Sequence, residues 1–107
     1  MTYLDVIAGM ESIGLPCNYH KWSRAPALPY TLITHTENDD LMADNHNYFD
    51  IGNYRLELYT AVKHPPTEQL VEDWLKAQRI PYRKSSPGFI DSENMFLTAY
   101  DIRLIGG

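Results

Sequence analysis

Residues 48–78 read YFDIGNYRLELYTAVKHPPTEQLVEDWLKAQ, and they contain the longest predicted strand, residues 48–62, directly followed by a predicted helix. The second half of the strand alternates: one side is formed by Tyr54, Leu56, Leu58 and Thr60 and the other by Arg55, Glu57 and Tyr59. Such alternation is typical of a strand with one buried face. Pro65 and Pro66 end the strand and favour a helix start, because proline fits a first turn. The predicted helix continues to about Gln78 and buries Leu70, Val71, Trp74 and Leu75.

The other elements flank this strand–helix unit on both sides. Apolar residues recur at three- and four-residue steps over residues 3–13, which predicts a helix that Thr2 caps and Gly14 ends. Further strands are predicted at residues 17–22, 28–36, 80–83 and 93–104. Residues 37–47 and 85–88 have the composition of loops and turns, so we expect no strand there.

The order α-β-β-β-α-β-β predicts an α+β fold. We expect one mainly antiparallel sheet of four to five strands, with two helices packed on one face. The 107 residues are the usual size of one domain, so residues 1–107 are predicted to form a single domain. A domain this small leaves much of its surface uncovered by its own core, which favours packing against copies of itself.

Charge is unevenly distributed along the chain. The formal net charge is -5, and no Lys or Arg lies between Ala25 and Tyr54. Five carboxylates fall in that interval: Glu37, Asp39, Asp40, Asp44 and Asp50. Because such a segment repels phosphate, we expect no specific binding of nucleic acid through it. A basic set, Lys76, Arg79, Arg83 and Lys84, is predicted to form a complementary patch that meets the acidic segment between subunits. The alternative is two ordinary solvated faces.

The sequence contains no pattern typical of a catalytic or metal site. The four histidines are scattered, and Cys17 is the sole cysteine, so neither a zinc site nor a disulfide is predicted. The adjacent carboxylates Glu72 and Asp73 are predicted to lie on the exposed face of a helix. No apolar run approaches the roughly 18 residues of a membrane span, and the N-terminus does not resemble a secretory signal. We therefore expect a cytosolic protein without catalytic residues or a cofactor, and no membrane partner.

Aromatic residues are frequent, with eight tyrosines and two tryptophans. Interfaces use Tyr and Trp because they provide large contact area with little loss of entropy. Combining these residues with the acidic segment gives a predicted oligomer or partner interface: Glu37, Asp39, Asp40, Asp44, His46, Tyr48 and Tyr59.

Short motifs along nearly the whole chain resemble small tail-completion proteins of Gram-positive siphophages. They are Gly14-Leu15-Pro16 before Tyr19-His20, Leu28-Pro29-Tyr30, Ala43-Asp44-Asn45 with Tyr48, Glu57-Leu58-Tyr59-Thr60 with Lys63, the predicted helix at residues 68–75, and Ser92-Glu93-Asn94-Met95 with Tyr100-Asp101. These motifs are structural signatures and include no catalytic residue.

The resemblance implies a structural virion-assembly protein, a tail terminator or tail-completion subunit at the head–tail junction. It implies a ring of copies, often hexameric, that contacts tail-tube and head-connector proteins, and residence in the virion after assembly in the host cytoplasm. Residues 37–47 would then form a ring-facing or lumen-facing excursion, whose acidic lining would let DNA pass without sticking. Two alternatives stay open: a head-completion protein of the connector, stopper or adaptor type, and a prophage-encoded acidic binding module or inhibitor.

Overall fold

The structure, a computed structural model, describes residues 1–38, 41–43, 46–49 and 51–105, and the side chains of residues 1–36 and 52–105. In chain order the elements are α1 (Tyr3–Ser12), β1 (Cys17–Tyr19), β2 (Tyr30–Asn38), β3 (Leu41–Ala43), β4 (His46–Phe49), β5 (Ile51–Thr60), α2 (Pro65–Ala77), β6 (Tyr82–Ile90) and β7 (Met95–Ile105). A short 3₁₀ helix, Asp91–Glu93, precedes β7.

Five strands form the main sheet in the order β1-β2-β5-β7-β6. The pairs β2–β5, β5–β7 and β6–β7 are antiparallel, whereas β1 lies parallel to β2. The predicted α+β class and strand number are thereby confirmed, and the sheet is mixed rather than purely antiparallel. Strands β5 and β7 pair over ten successive positions and form its centre.

Both helices pack on the same face of the sheet. Val6 and Met10 of α1 and Val71 and Leu75 of α2 are fully buried. They join a single apolar cluster with sheet residues that include Ile33, Leu56, Leu58, Tyr100 and Ile102. Each large apolar side chain buried in this way contributes about 1.5–3 kcal/mol relative to exposure. The alternation predicted for residues 54–60 therefore identifies the face of β5 that the helices cover.

The end signals predicted for α1 are present at both of its ends. The backbone N–H of Thr2 donates to Asp5 Oδ2 at 2.8 Å, which caps α1. At its other end, Gly14 adopts φ +88° while Gly14 N and Leu15 N donate to the carbonyls of Glu11 and Met10. The same pair of hydrogen bonds closes α2, from Arg79 N to Lys76 O and from Ile80 N to Leu75 O. There Arg79 occupies the left-handed position that usually favours glycine, with φ 58°.

The loop predicted over residues 37–47 is wrong for the part that the structure describes. Strand β2 continues to Asn38, and β3 pairs antiparallel with β4 in a separate two-stranded sheet. The loop was predicted because Asn and Asp, which favour turns, are frequent in residues 37–47. The apolar residues 41–43 between them form strand β3. Asp39, Asp40 and Asp44 lie outside the described residues.

Strand β6 also corrects the prediction of a short strand at residues 80–83 followed by a turn at 85–88. The chain forms one strand, Tyr82–Ile90, whose register with β7 shifts between Ser85 and Gly88. A bulge at this point takes up Pro87, which cannot donate a ladder hydrogen bond, and the strand continues beyond it. A second, smaller error concerns Leu70 of α2, which was predicted to be buried and is 46% exposed.

The two helices approach each other at Gly9 of α1 and Trp74 of α2. A Cβ atom at position 9 would overlap the Trp74 indole ring. Glycine is therefore required at this buried helical position, although it costs about 1 kcal/mol of helix propensity relative to alanine.

We predict that Gly9→Ala lowers the free energy of unfolding by about 1–3 kcal/mol, because the added methyl group overpacks the contact with Trp74. In a Trp74→Ala background the same substitution should raise it by up to about 1 kcal/mol, because only the gain in helix propensity remains. Urea unfolding of the four variants measures both values. Stabilisation by Gly9→Ala in both backgrounds would contradict the packing role.

We further predict that Arg79→Gly raises the free energy of unfolding by about 1 kcal/mol, since glycine adopts a positive φ without steric cost. Arg79→Ala serves as the control and should give no comparable gain, because alanine keeps the Cβ atom that makes this conformation unfavourable. Urea titration of both variants checks the prediction, and equal effects would argue against it.

Candidate functional site

The main sheet has a second face, which lies opposite the helices and which we call the open face. Side chains alternate between the two faces, so the open face carries the residues that lie between the buried core positions of each strand. They are Tyr30, Leu32 and Thr34 of β2, Asn53, Arg55, Glu57 and Tyr59 of β5, Leu97, Ala99, Asp101 and Arg103 of β7, and Arg83 of β6. A groove of about 900 Å³ runs along part of this face.

The groove occupies the charged half of the open face. Arg55 on β5 and Arg83 on β6 both lie directly opposite Asp101 on β7. Arg55 Nε donates to Asp101 Oδ1 at 3.2 Å, and these two side chains are 43% and 46% exposed. Two residues further along the same strands, Arg103 Nε donates to Asn53 Oδ1 at 3.3 Å. Three arginines from three adjacent strands thus surround a solvent-accessible groove.

The other half of the open face is aromatic. The Tyr30 ring lies 5.2 Å from that of Tyr59 and makes an edge contact with Trp22, with centroids 6.0 Å apart. Tyr30 and Leu32 are almost completely buried. Burial, with the nearby Glu57 carboxylate, raises the pKa of Tyr59 to about 12, so its hydroxyl stays protonated at neutral pH. The open face is therefore divided into an aromatic half and a charged half.

The residues of the predicted interface are only partly described. Asp39, Asp40 and Asp44 lie outside the described residues, and the side chains of Glu37, His46 and Tyr48 do so as well. Of these three, the structure describes the backbone, in β2 and β4. Tyr59 lies on the open face, where it packs against Tyr30.

The four residues of the predicted basic patch do not form one surface. Lys76 and Arg79 are exposed on α2 and at its end, on the helix layer. Arg83 lines the groove on the open face, whereas Lys84 bonds to carboxylates of α2 on the opposite side of the sheet. Consecutive residues of a strand point to opposite faces, which separates Arg83 from Lys84.

Sequence reasoning missed Arg55 and Arg103 as partners of Arg83. The available signal was strand alternation, because each arginine occupies a position between apolar residues that face the core. The three arginines could not be grouped from the sequence, because they lie far apart in it. They come together because β5, β7 and β6 are neighbours in the sheet.

A second cluster of charges lies between α2 and the helix-covered face of the sheet. Glu68 is 3% exposed, and Lys63 Nζ and Lys84 Nζ each lie 2.8 Å from one of its carboxylate oxygens. Lys84 Nζ is also 2.8 Å from Glu72 Oε2, which accepts a hydrogen bond from the Tyr100 hydroxyl at 3.1 Å. The prediction that Glu72 lies on the exposed face of its helix is therefore wrong, since its side chain is 14% exposed.

Glu68, Glu72, Lys84 and Tyr100 of this cluster are each held in their neutral-pH state. Burial alone would raise the pKa values of Glu68 and Glu72, but hydrogen bonds and charges outweigh burial and lower both; they come from Lys63 and Lys84 for Glu68 and above all from Lys84 for Glu72. Hydrogen bonds to the two carboxylates raise the pKa of Lys84. Burial raises the pKa of Tyr100, and Glu72 adds to the effect. General acid–base catalysis favours pKa values near the working pH, so these shifts suit a structural ion cluster rather than proton transfer.

Comparison with known proteins assigns the chain to no group: it matches no model of a known protein family and no curated protein. Across the described part of the chain, no three His, Cys, Asp or Glu side chains converge in a group that could hold a metal ion. None of the helices in the described ranges is long and apolar enough to span a membrane.

We predict that Lys84→Met lowers the free energy of unfolding at neutral pH by about 1–2 kcal/mol, because it leaves Glu72 without its cation and Glu68 with only one. Lys76→Met, at an exposed position of α2, is the matched control and should change it by less than about 0.5 kcal/mol.

The same variants should differ in acid. Glu68 and Glu72 have folded-state pKa values below the ordinary 4.5, so the folded state binds fewer protons than the unfolded state as pH falls through this region. Their stabilising effect is complete above pH 4.5 and is lost as pH falls through the lower folded-state values. Denaturant titrations from pH 7 to pH 3 should show a shallower loss of stability in Lys84→Met than in the wild-type chain; parallel curves would contradict this account.

Proposed function

We propose that this protein is a structural subunit of a virion, a tail terminator or tail-completion protein that forms a ring of copies at the head–tail junction. The observation that supports the proposal best is the open face, a sheet surface without a helix layer that combines aromatic side chains with a groove lined by arginines. The resemblance of the sequence to tail-completion proteins supplies the biological setting.

The composition of the open face is that of an interaction surface. Tyr, Trp and Arg are the residues enriched where proteins bind one another, and Trp22, Tyr59 and Arg83 all lie on or beside this face. An antiparallel sheet tolerates one face in contact with water, so the fold does not itself require a cover there. The face is thus available to a partner while the helix-covered core keeps the subunit folded.

The ion cluster supports a role without catalysis. Its carboxylates are neutralised by lysines, and the pKa shifts of Glu68, Glu72 and Lys84 move these groups away from the range useful at neutral pH. The proposed partners are therefore other copies of the chain, tail-tube proteins and head-connector proteins. The protein would reside in the virion after assembly in the host cytoplasm, and it would use no cofactor.

Deletion of the gene from the phage or prophage that carries it tests the proposal. We predict overlong or unjoined tails in electron micrographs, because a terminator both stops tail growth and presents the joining surface. Wild-type virions should contain about six copies, as counted by quantitative mass spectrometry, and supplying the wild-type chain from a plasmid should restore joined tails.

Two results would contradict the terminator role. Normal-length free tails together with unsealed heads would assign the protein to head completion instead. Normal, joined virions that lack the chain would exclude a structural role and leave an acidic binding module as the explanation of the sequence.

A further inference from the structure

We propose that the charged half of the open face is the docking site for the acidic segment, residues 37–50, of a neighbouring copy. The inference rests on the proposed function insofar as both require copies of the chain to associate. It goes further by naming the two surfaces that meet, and it replaces the basic patch expected from the sequence with a different set of cations.

The groove offers hydrogen-bond donors that suit carboxylates. The Arg83 side chain makes no hydrogen bond or ion pair with any side chain that the structure describes, although it lies opposite Asp101. Arg55 contacts Asp101 through Nε, and its two terminal nitrogens have no partner among the described side chains. A guanidinium binds a carboxylate by donating two parallel N–H hydrogen bonds. Both arginines can therefore bind an acidic side chain of a partner.

The charges of groove and segment are complementary. Among the described residues that line the groove are three arginines and two carboxylates, Glu57 and Asp101. The segment carries five carboxylates and no cation, and it lies in a chain whose net charge is -5. An acidic segment of the same protein is therefore a better occupant than nucleic acid, because the whole molecule repels phosphate.

Docking of one segment in the groove of the next copy uses two different surfaces of the same chain. Such a head-to-tail contact generates a ring when the rotation between copies closes, and an open filament when it does not. The helix layer, where Lys76 and Arg79 are exposed, takes no part in this contact. This separation makes those two residues a suitable control.

A charge-swap experiment on the full chain tests the inference. The groove variant is Arg55→Glu/Arg83→Glu and the segment variant is Asp39→Lys/Asp40→Lys/Asp44→Lys. Each variant alone should self-associate at least about tenfold more weakly than the wild-type chain in sedimentation velocity, because like charges then face each other. Mixed in equal amounts, the two variants should regain association, since each reversed surface finds its complement on the other. The mixture can close only rings with an even number of copies.

The control variant Lys76→Glu/Arg79→Glu reverses the same number of charges as the groove variant and should associate like the wild-type chain. Circular dichroism of each variant checks that it folds, and Arg55→Gln/Arg83→Gln, which adds no repulsion, should give an intermediate loss. Three outcomes would overturn the inference: a wild-type chain that stays monomeric up to about 1 mM, unimpaired single variants, or a mixture that does not regain association.

This experiment is independent of the deletion test. Association through groove and segment in solution can hold when the tails of a deletion mutant are normal, which would remove the virion role alone. Conversely, overlong tails with no effect of the charge swap would keep the terminator role and reject this contact.

Discussion

Both helices pack on the same face of the five-stranded sheet, and this one-sided contact determines where every other feature of the molecule lies. Val6, Met10, Val71 and Leu75 form one buried cluster with even-numbered residues of β5 and β7 that include Leu56, Leu58, Tyr100, Ile102 and Leu104. The odd-numbered residues of the same strands consequently lie on the opposite face, where Arg55 and Asp101 are 43% and 46% exposed. Charges are tolerated on that face because an antiparallel sheet can be solvated on one side. The groove and its arginines thus follow from how the core is packed.

The ion cluster around Glu68 connects the helix layer to the sheet. A buried carboxylate is costly unless it is paired, and Glu68 has two lysines, one from the connection before α2 and one from the edge strand β6. Lys84 also reaches Glu72, so a single cation joins two turns of the helix to β6. This use of Lys84 explains why it does not contribute to a surface patch, whereas its neighbour Arg83 lies on the open face. Adjacent basic residues therefore lie on opposite faces of the sheet, one in an internal ion cluster and one in the groove.

Much of the architecture could be predicted, because the relevant signals are local. Alternation in β5, the Pro65-Pro66 start of α2 and the end of α1 at Gly14 each depend on residues within a few positions of one another. The errors arose where two local signals competed. Turn-forming residues led to a predicted loop where the short strands β3 and β4 form. Pro87 led to a predicted turn within β6, whereas a bulge allows the strand to accommodate the proline.

The candidate site was harder to predict, because it is assembled from distant parts of the chain. Arg55, Arg83 and Arg103 come from strands that are adjacent only in the sheet order β5-β7-β6. No spacing within the sequence encodes that order, since strand pairing depends on which faces can be buried together. In the same way, the sequence pattern of Glu68 and Glu72 is that of ordinary helix charges. Their contact with Lys84 depends on the position of β6 in the sheet.

The residues alone were sufficient for the α+β class, the elements with clear periodicity and the uneven distribution of charge, since each depends on composition or on neighbours in the chain. The face on which each charged residue lies, and the partner it meets there, depended on the packing of helices against one side of the sheet. That packing is a long-range property: burying one set of alternate side chains necessarily exposes the other. Because of this packing, the basic surface lies on the open face and not at the end of α2, where the sequence had suggested it. The proposed contact between copies was placed on the open face for the same reason.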